Sequence, residues 1–594
     1  MSSPPLSFTR QSLDSSPNGP MPRWVRYGLW IVFLVYIAYS CFGIAGPYLW
    51  GHFGYHGATY VLRARMTLRF HMLTPATWPG FVVPPLPQSF YFHHPIGYHH
   101  VLTPFLLLLG DQDYVGHLVA ALGGLVCLFA LFQMVRRHVG DVAALIATAV
   151  YVALPIVCSF SILIDAMLLA MACCILTMDS YLQYLKTPTT KWLVRGCLGL
   201  CLGGLLMWEA YFQAFFLGLH CIVLFFMGRK LAGPIPRSTP VRWFLTTFVV
   251  SSLTMAFHFF LMWQKRAFDD FRASFHSRST ATFAYAKAQH EKWLLLLYGK
   301  PILFLGGLWL VVFLIRLCVG KSRQRDFGVL LFFLINTLYI FLFPAASSIH
   351  LYRVFWYSTF FALAISDLAC DLYRLIQFSV DKWIPKDPQR HTHLAIPAIA
   401  VTACLVGYFA LVIPHSYRNL LESRVMMGTH GEPHYDPQYE KLRFAEEASR
   451  LTEKTSCFVA YNLPHRLEFE YYLDRSFCTP QTWGNIGTLT QVEALHKQFP
   501  NMVIVMDSQV EGAERAILLD LLRRHPGTLF GTYLHIDLGK QEKTLDAFRF
   551  VPHRPSLAWR YLVSHKYPPL VPEKASSPIL DRFLIELGRT SVRH

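Results

Sequence analysis

The sequence predicts a polytopic α-helical membrane protein of about 11 transmembrane helices, followed by a C-terminal soluble α/β domain. Three observations lead there. Hydrophobic residues make up 54% of the 594-residue chain and charged residues only 15%, too apolar a balance for a soluble protein of this length. The apolar residues come in blocks of roughly 18 to 24, the number a helix needs to cross ~30 Å of hydrocarbon at ~1.5 Å per residue. After Pro414 the blocks stop, and charged helical stretches alternate with short β-rich runs.

The expected spans are 25–47, 114–135, 141–159, 163–184, 192–207, 210–227, 242–262, 294–315, 327–343, 354–374 and 394–413. Residues 1–24 read as a disordered cytoplasmic tail, Ser- and Pro-rich and without an apolar run. The block after it lacks a small-residue cleavage site, so it is expected to stay as an anchor. A net charge of +17 would suit a nucleic-acid partner if it lay on one face. Here the Lys and Arg residues sit mostly in short connectors, which points to membrane topology and to no nucleic acid. The basic connectors at Arg136-Arg137, Lys186 to Arg195, Arg229 to Arg242, Arg316 to Arg325 and Arg374 to Arg390 are placed in the cytoplasm by that rule.

The outer side then receives the long loop 48–113, Ser161–Asp165, Trp208–Glu209, 263–293, Pro344–Arg353 and the domain 414–594. Within the long loop, Tyr60–Met72 reads as a helix, a Pro-rich chain runs on to Gln88, and Val101–Leu109 is too short to span and is expected to be interfacial or re-entrant. In the tail, the runs CFVAYNL, NMVIVMD and LFGTYLHIDL alternate with helical stretches Leu467–Asp474, Gln491–Gln498 and Glu511–Arg524. That alternation predicts a three-layer domain with a partly parallel sheet. It contains no phosphate-binding glycine loop. Eleven of the 13 cysteines lie in or beside apolar blocks; Cys457 and Cys478 fall in the tail and are expected either to pair or to stay as buried thiols.

Chemistry concentrates on the outer side. Histidines 52, 56, 71, 93, 94, 99 and 100 crowd the first loop, while no acidic residue occurs between Asp14 and Asp111. His93 and His94 could polarise a phosphate, shuttle protons, bind a divalent metal, or simply solvate loop backbone. Arg63, Arg65 and Arg69 lie on about one face of their helix, where they would grip a donor phosphate or a lipid headgroup. Asp165, inside FSILIDAMLL, would act as a general base or cap the next helix. Glu209 in LLMWEAYFQ is a second carboxylate of that kind. His350, Tyr352 and Arg353 would close the same cavity, and Asp111 and Asp113 read as caps or ion-pair partners.

These pieces resemble the GT-C superfamily of polyprenyl-phosphate-sugar-dependent membrane glycosyltransferases, of the protein O-mannosyltransferase and lipid A aminoarabinose transferase type. The resemblance rests on WGHFGYHGATYVLRAR, on YFHHPIGYHHVLTPFLLLLGDQDYVGHLVAAL, and on RRHVGD leading towards LPIVCSFSILIDAML. It extends more loosely to KWLVRGCLGLCLGGLLMWEAYF and SSIHLYR, covering about residues 25–360. It implies an inverting transfer from a polyprenyl-phosphate sugar to an envelope acceptor, on the outer face of a bacterial inner membrane. Members of the group carry an acidic residue after the first span. This chain has His52, Gly54 and His56 there, while Asp165 falls where a second acidic residue occurs. The resemblance therefore assigns activation of the acceptor to Asp165, or to His52 and His56 in its place. Binding of the lipid phosphate falls to Arg63, Arg65, His93, His94, His350, Tyr352 and Arg353. No cofactor is required by it, and a divalent metal stays open. The missing carboxylate leaves a second reading, a catalytically inactive scaffold that binds membrane lipid and an envelope protein partner through 414–594.

Overall fold

The computed structural model describes residues 19–45, 52–74, 90, 92–231, 235–321, 323–383, 392–425, 444–445, 447–453, 455–463, 471–474, 476–478, 486–508, 510–530, 533–540 and 549–551. Most of the expected tail 1–24, the Pro-rich chain to Gln88, the first part of Leu467–Asp474 and the side chain of His52 lie outside them. The chain divides into two units, residues 1–46 with 92–424, and residues 47–91 with 425–594.

The first unit is helical. Eight of its helices are long and apolar enough to cross a membrane by length and composition, among the described residues. They are α1 (Arg23–Cys41), α4 (Asp113–His138), α7 (Met167–Lys186), α9 (Glu209–Leu231, apolar as far as Met227), α10 (Ser238–Gln264), α13 (Gly299–Cys318), α14 (Gln324–Leu342) and α17 (Thr392–Val425, apolar over Ile396–Leu420). This is a multi-pass membrane architecture. Three expected spans are helices that fall short of the criterion. α5 (Asp141–Ala153) stops before Pro155, which lacks an N–H to continue the ladder, and the chain restarts as α6 (Pro155–Phe160). α8 (Thr190–Leu206) has 17 residues, and α16 (Tyr357–Trp383) carries Asp367, Asp371, Arg374, Asp381 and Lys382. The expected span 294–315 starts too early, because Gly299 takes a left-handed φ of 77° and separates α12 (Phe283–Leu297) from α13.

Shorter helices fill the connections that were expected outside: α3 (Gly97–Leu109), α11 (Phe268–Ser279), α12 and α15 (Pro344–Ile349), the last followed by a 3₁₀ turn, Leu351–Trp356. α3 is apolar, contains Pro104, and leaves Leu107, Leu108 and Leu109 exposed. α4, α7 and α8 pack side by side, with α5 and α16 against them.

The second unit holds α2 (His52–Phe70) and a six-stranded sheet in the order β2-β1-β3-β5-β4-β6. The strands are β1 (Cys457–Tyr461), β2 (Ser476–Phe477), β3 (Met502–Asp507), β4 (Gly527–Phe530), β5 (Tyr533–Asp537) and β6 (Arg549–Val551). β1 pairs in parallel with β2 and β3, β4 pairs in parallel with β6, and β3 and β4 each pair antiparallel with β5. Val459, Ile504, Leu529 and Ile536 pack with Leu518 and Leu521 of α19 (Gly512–Arg524), while α18 (Gln491–Gln498) contributes Val492. The run LFGTYLHIDL, read from sequence as one β-rich run, holds two strands, the end of β4 and the whole of β5, which pair antiparallel. Cys457 and Cys478 form a disulfide across 21 residues.

Candidate functional site

The polar centre of the helical unit is assembled from three connections. α3 follows His93-His94-Pro95, and Gly97 lets it lie against the end of α8: a Cβ there would sit 2.6 Å from the Leu205 carbonyl oxygen. Three residues further on, Trp208 donates its indole N–H to the His93 carbonyl at 2.8 Å, and Glu209 opens α9. Gln213, one turn into α9, donates to the Cys174 carbonyl of α7 at 2.7 Å. The third connection, α15 and its 3₁₀ turn, is held from α12. Trp293 donates to the Ser348 carbonyl at 3.1 Å, and His290 meets the Ser347 hydroxyl at 3.0 Å. Burial lowers the His290 pKa, which keeps that imidazole neutral. Tyr298 donates to the Val354 carbonyl at 2.7 Å.

These supports aim Arg353 inward, with its side chain 3% exposed. One guanidinium nitrogen donates to Glu209 Oε1 at 3.2 Å and another lies 3.0 Å from His94 Nε2. Because a guanidinium only donates, that His94 nitrogen accepts, and a neutral imidazole then carries its proton on Nδ1. The rings of Tyr339 and Tyr352 lie 5.1 and 5.0 Å from the guanidinium carbon and offer their negative faces to it. Asp165 is 1% exposed, accepts from the Met167 N–H at 3.0 Å at the head of α7, and lies close enough for its charge to act on Tyr98, Glu209 and Arg353. The capping role foreseen for Asp165 is thus present together with its position beside the arginine. Chemically, this is a buried guanidinium, with capacity for a bidentate oxyanion, flanked by a neutral imidazole and two carboxylates.

Other expected site residues take different places. His93 turns to Asp270 of α11, 2.9 Å away and half-exposed, not to Arg353. His350 packs its ring 5.5 Å from that of Tyr352. His56, Arg63 and Arg65 belong to the second unit. His56 and Arg63 are buried there against Tyr60, and Arg65, with Arg69, grips Asp474 at 3.0 Å. Arg65 also donates to the Tyr471 carbonyl and lies 4.2 Å over its ring. The shared helix face foreseen for Arg65 and Arg69 brings both to one protein carboxylate, Asp474. Among the described residues no group of three or more His, Cys, Asp or Glu side chains gathers to hold a metal ion. The sequence offered no sign of Tyr339 and gave Glu209 only as a second carboxylate beside Asp165. Yet Glu209 is the only acidic residue between Asp179 and Asp269, which was the available signal.

The fold is similar to that of the oligosaccharyltransferase AglB from Archaeoglobus fulgidus in complex with an inhibitory peptide and a dolichol-phosphate, at TM-score 0.56 and 11% identity over 85% of this chain and 72% of that one. ArnT from Cupriavidus metallidurans bound to undecaprenyl phosphate matches at TM-score 0.52 and 11% identity, over 86% of this chain and 98% of that one. Its apo state matches at TM-score 0.53 and 12% identity, over 89% and 99%. The chain therefore shares the fold of these two proteins. Within it, residues 93–263 match the family described as dolichyl-phosphate-mannose-protein mannosyltransferase. No curated protein sequence matches the chain.

Proposed function

We infer that the protein transfers a sugar from a polyprenyl-phosphate donor to a cell-envelope acceptor on the outer face of a bacterial inner membrane. The observation that carries this reading is the buried Arg353, held by Glu209 and His94 within a GT-C fold. Arg353 neutralises the donor phosphate, His94 donates a hydrogen bond to it from Nδ1, and Asp165 takes the proton of the acceptor hydroxyl. The acceptor oxygen forms a bond to the anomeric carbon as the bond from that carbon to the phosphate oxygen breaks. The electron pair leaves with the lipid phosphate. Roles for His52, His56, Arg63 and Arg65 in the same chemistry rest on the sequence resemblance alone, as does a divalent metal.

The outward orientation is supported by charge placement. Arg137, Lys186, Arg195, Arg316 and Arg325 all fall at the ends of α4, α7, α8, α13 and α14 that lie away from Asp165 and Glu209. It is supported too by the Cys457–Cys478 disulfide, which suits an oxidising compartment. With α5, α8 and α16 crossing beside the eight clear spans, the helical body has 11 crossings; α17 runs past the expected boundary at 414 to Val425, so the chain that faces the periplasm, available to an envelope protein partner, is the part after it.

The test supplies purified protein with a panel of radiolabelled polyprenyl-phosphate sugars and envelope extract, comparing wild type with Arg353→Lys, His94→Ala and Asp165→Asn. Transfer by the wild type that each substitution reduces supports the reading. A second reading, an inactive lipid-binding scaffold, is favoured by the absence of any acidic residue between Asp14 and Asp111. It predicts no transfer with any donor, together with retention of undecaprenyl phosphate that Arg353→Lys weakens.

A further inference from the structure

At the end of the helical unit remote from Asp165 and Glu209, a second charged cluster joins α4, α7 and α8. Its centre is Asp179 of α7, with a side chain 1% exposed. Arg137 of α4 pairs with it, Arg195 of α8 lies at 3.1 Å, and His138 Nε2 at 3.1 Å. Lys186 extends the chain, its ammonium donating to His138 Nδ1 at 3.2 Å. Beside them the Trp192 ring is approached by Arg137, Lys191 and Arg195, at 5.8, 5.3 and 5.3 Å from its centroid.

The charges do not balance. Four cations gather around a single carboxylate, two of them paired with it, leaving an excess of three positive charges. Topology asks for cations in inner connectors, but not for their convergence from three helices on one buried acid and one indole. Gathering like charges near an apolar interior is unfavourable unless an anion completes the set. The arginines are 27% and 28% exposed, and Lys186 and Lys191 are exposed, so donors remain turned outward. α8 begins here without an acidic residue in its first turn, which adds the partial positive charge of its N-terminus. Below the cations, Val194, Leu198 and Leu202 form an exposed apolar strip along α8 at four-residue spacing. Lys191 stands three residues before Val194, on the same side of the helix.

We propose that this cluster binds the phosphate of an anionic membrane lipid, with its acyl chain along Val194, Leu198 and Leu202. The strip is what selects a lipid over a free phosphate, since only a lipid has a tail to cover it. Trp192 marks the headgroup level, as interfacial indoles do. This site stands apart from the sugar-transfer site and does not depend on it.

The test uses the full-length protein in detergent. Retention of phosphatidylglycerol is measured by native mass spectrometry, and melting temperature is followed during titration with phosphatidylglycerol, phosphatidylcholine or inorganic phosphate. The double variant Lys186→Gln/Lys191→Gln leaves the Arg137–Asp179–Arg195 core intact, and Lys321→Gln controls for another exposed basic connector. The expected result is selective retention of phosphatidylglycerol, weakened at least tenfold in the double variant, unchanged in Lys321→Gln, with the same melting temperature without lipid. Equal retention by the double variant and wild type overturns the site. Equal loss in Lys321→Gln overturns it in favour of diffuse surface attraction. Stabilisation by inorganic phosphate matching that by phosphatidylglycerol overturns the lipid as its source.

Discussion

The helical unit solves the problem of buried arginine twice, in opposite ways. Away from the candidate site, Arg316 of α13 contacts Asp326, Asp367 and Asp371, Arg323 reaches Asp367 and Asp371, and Arg325 reaches Asp367. Arg316 touches all three aspartates, Arg374 adds a fourth arginine at Asp371, and the indole of Trp309 adds a donor to Asp367 at 3.1 Å. Arg353 instead has one carboxylate, one imidazole and two aromatic faces. A network in which every carboxylate is held by arginine, two of them by more than one, resists exchange of partners and ties α13, α14 and α16 together. A guanidinium with a single carboxylate, its other partners being an imidazole and two aromatic faces, can take up an oxyanion without a lattice of ion pairs having to break.

That contrast yields graded expectations. The largest concerns activity: Arg353→Gln lowers sugar transfer by about 10²–10³-fold, as removal of a preorganised oxyanion donor does, measured by radiolabel transfer. Arg316→Gln falls on stability, costing about 3–5 kcal/mol because it strands buried carboxylates, read from thermal unfolding in detergent. Its KM for the donor stays at the wild-type value. A variant at Arg316 that loses transfer while keeping its melting temperature would erase the distinction between the two arginines.

Two groups of the second unit sharpen it from outside the helices. His535 of β5 is buried against the Thr452 hydroxyl at 3.0 Å, and burial lowers its pKa to about 4. An unfolded histidine titrates near ~6.5, so below that value the unfolded chain binds the proton first. Stability is therefore complete above about pH 6.5 and falls on acidification towards pH 4, by up to about 3 kcal/mol. Hydrogen exchange of β5 in the full chain follows it, and His535→Asn removes that share of the slope. The smallest effect belongs to Asp474→Asn: its bonds to Arg65 and Arg69 are only part-buried, and their loss costs about 1 kcal/mol, seen as faster exchange in α2. A loss as large as that for Arg316→Gln would show that exposure does not separate these ion pairs.

The sequence was most informative where one local rule governs. Gln491–Gln498 folds as the helix its composition predicts, and Glu511–Arg524 differs by a single residue at its start. Rules failed where two elements meet within one apolar run. Leu294–Leu297 read as the beginning of a span, but the Gly299 turn assigns it to α12. Among site residues, Asp165 and Arg353 were legible because an ionisable side chain within apolar sequence is conspicuous. Tyr339 was not, since a tyrosine inside a hydrophobic helix gives no sign of the cation it faces.

Sequence alone determined which blocks are apolar enough for the bilayer and where along the chain the basic connectors and the histidine-rich, acid-free stretch fall. Those properties are sums over neighbouring residues, so they survive without coordinates. Which charges meet is a different kind of fact. Arg353 finds Glu209 across 144 positions and His94 across 259, while Arg65 finds Asp474 across 409. Contacts at such separations depend on how helices pack, and only the tertiary structure decided that Arg353 would stand at the site and Arg65 would be tied to a protein carboxylate.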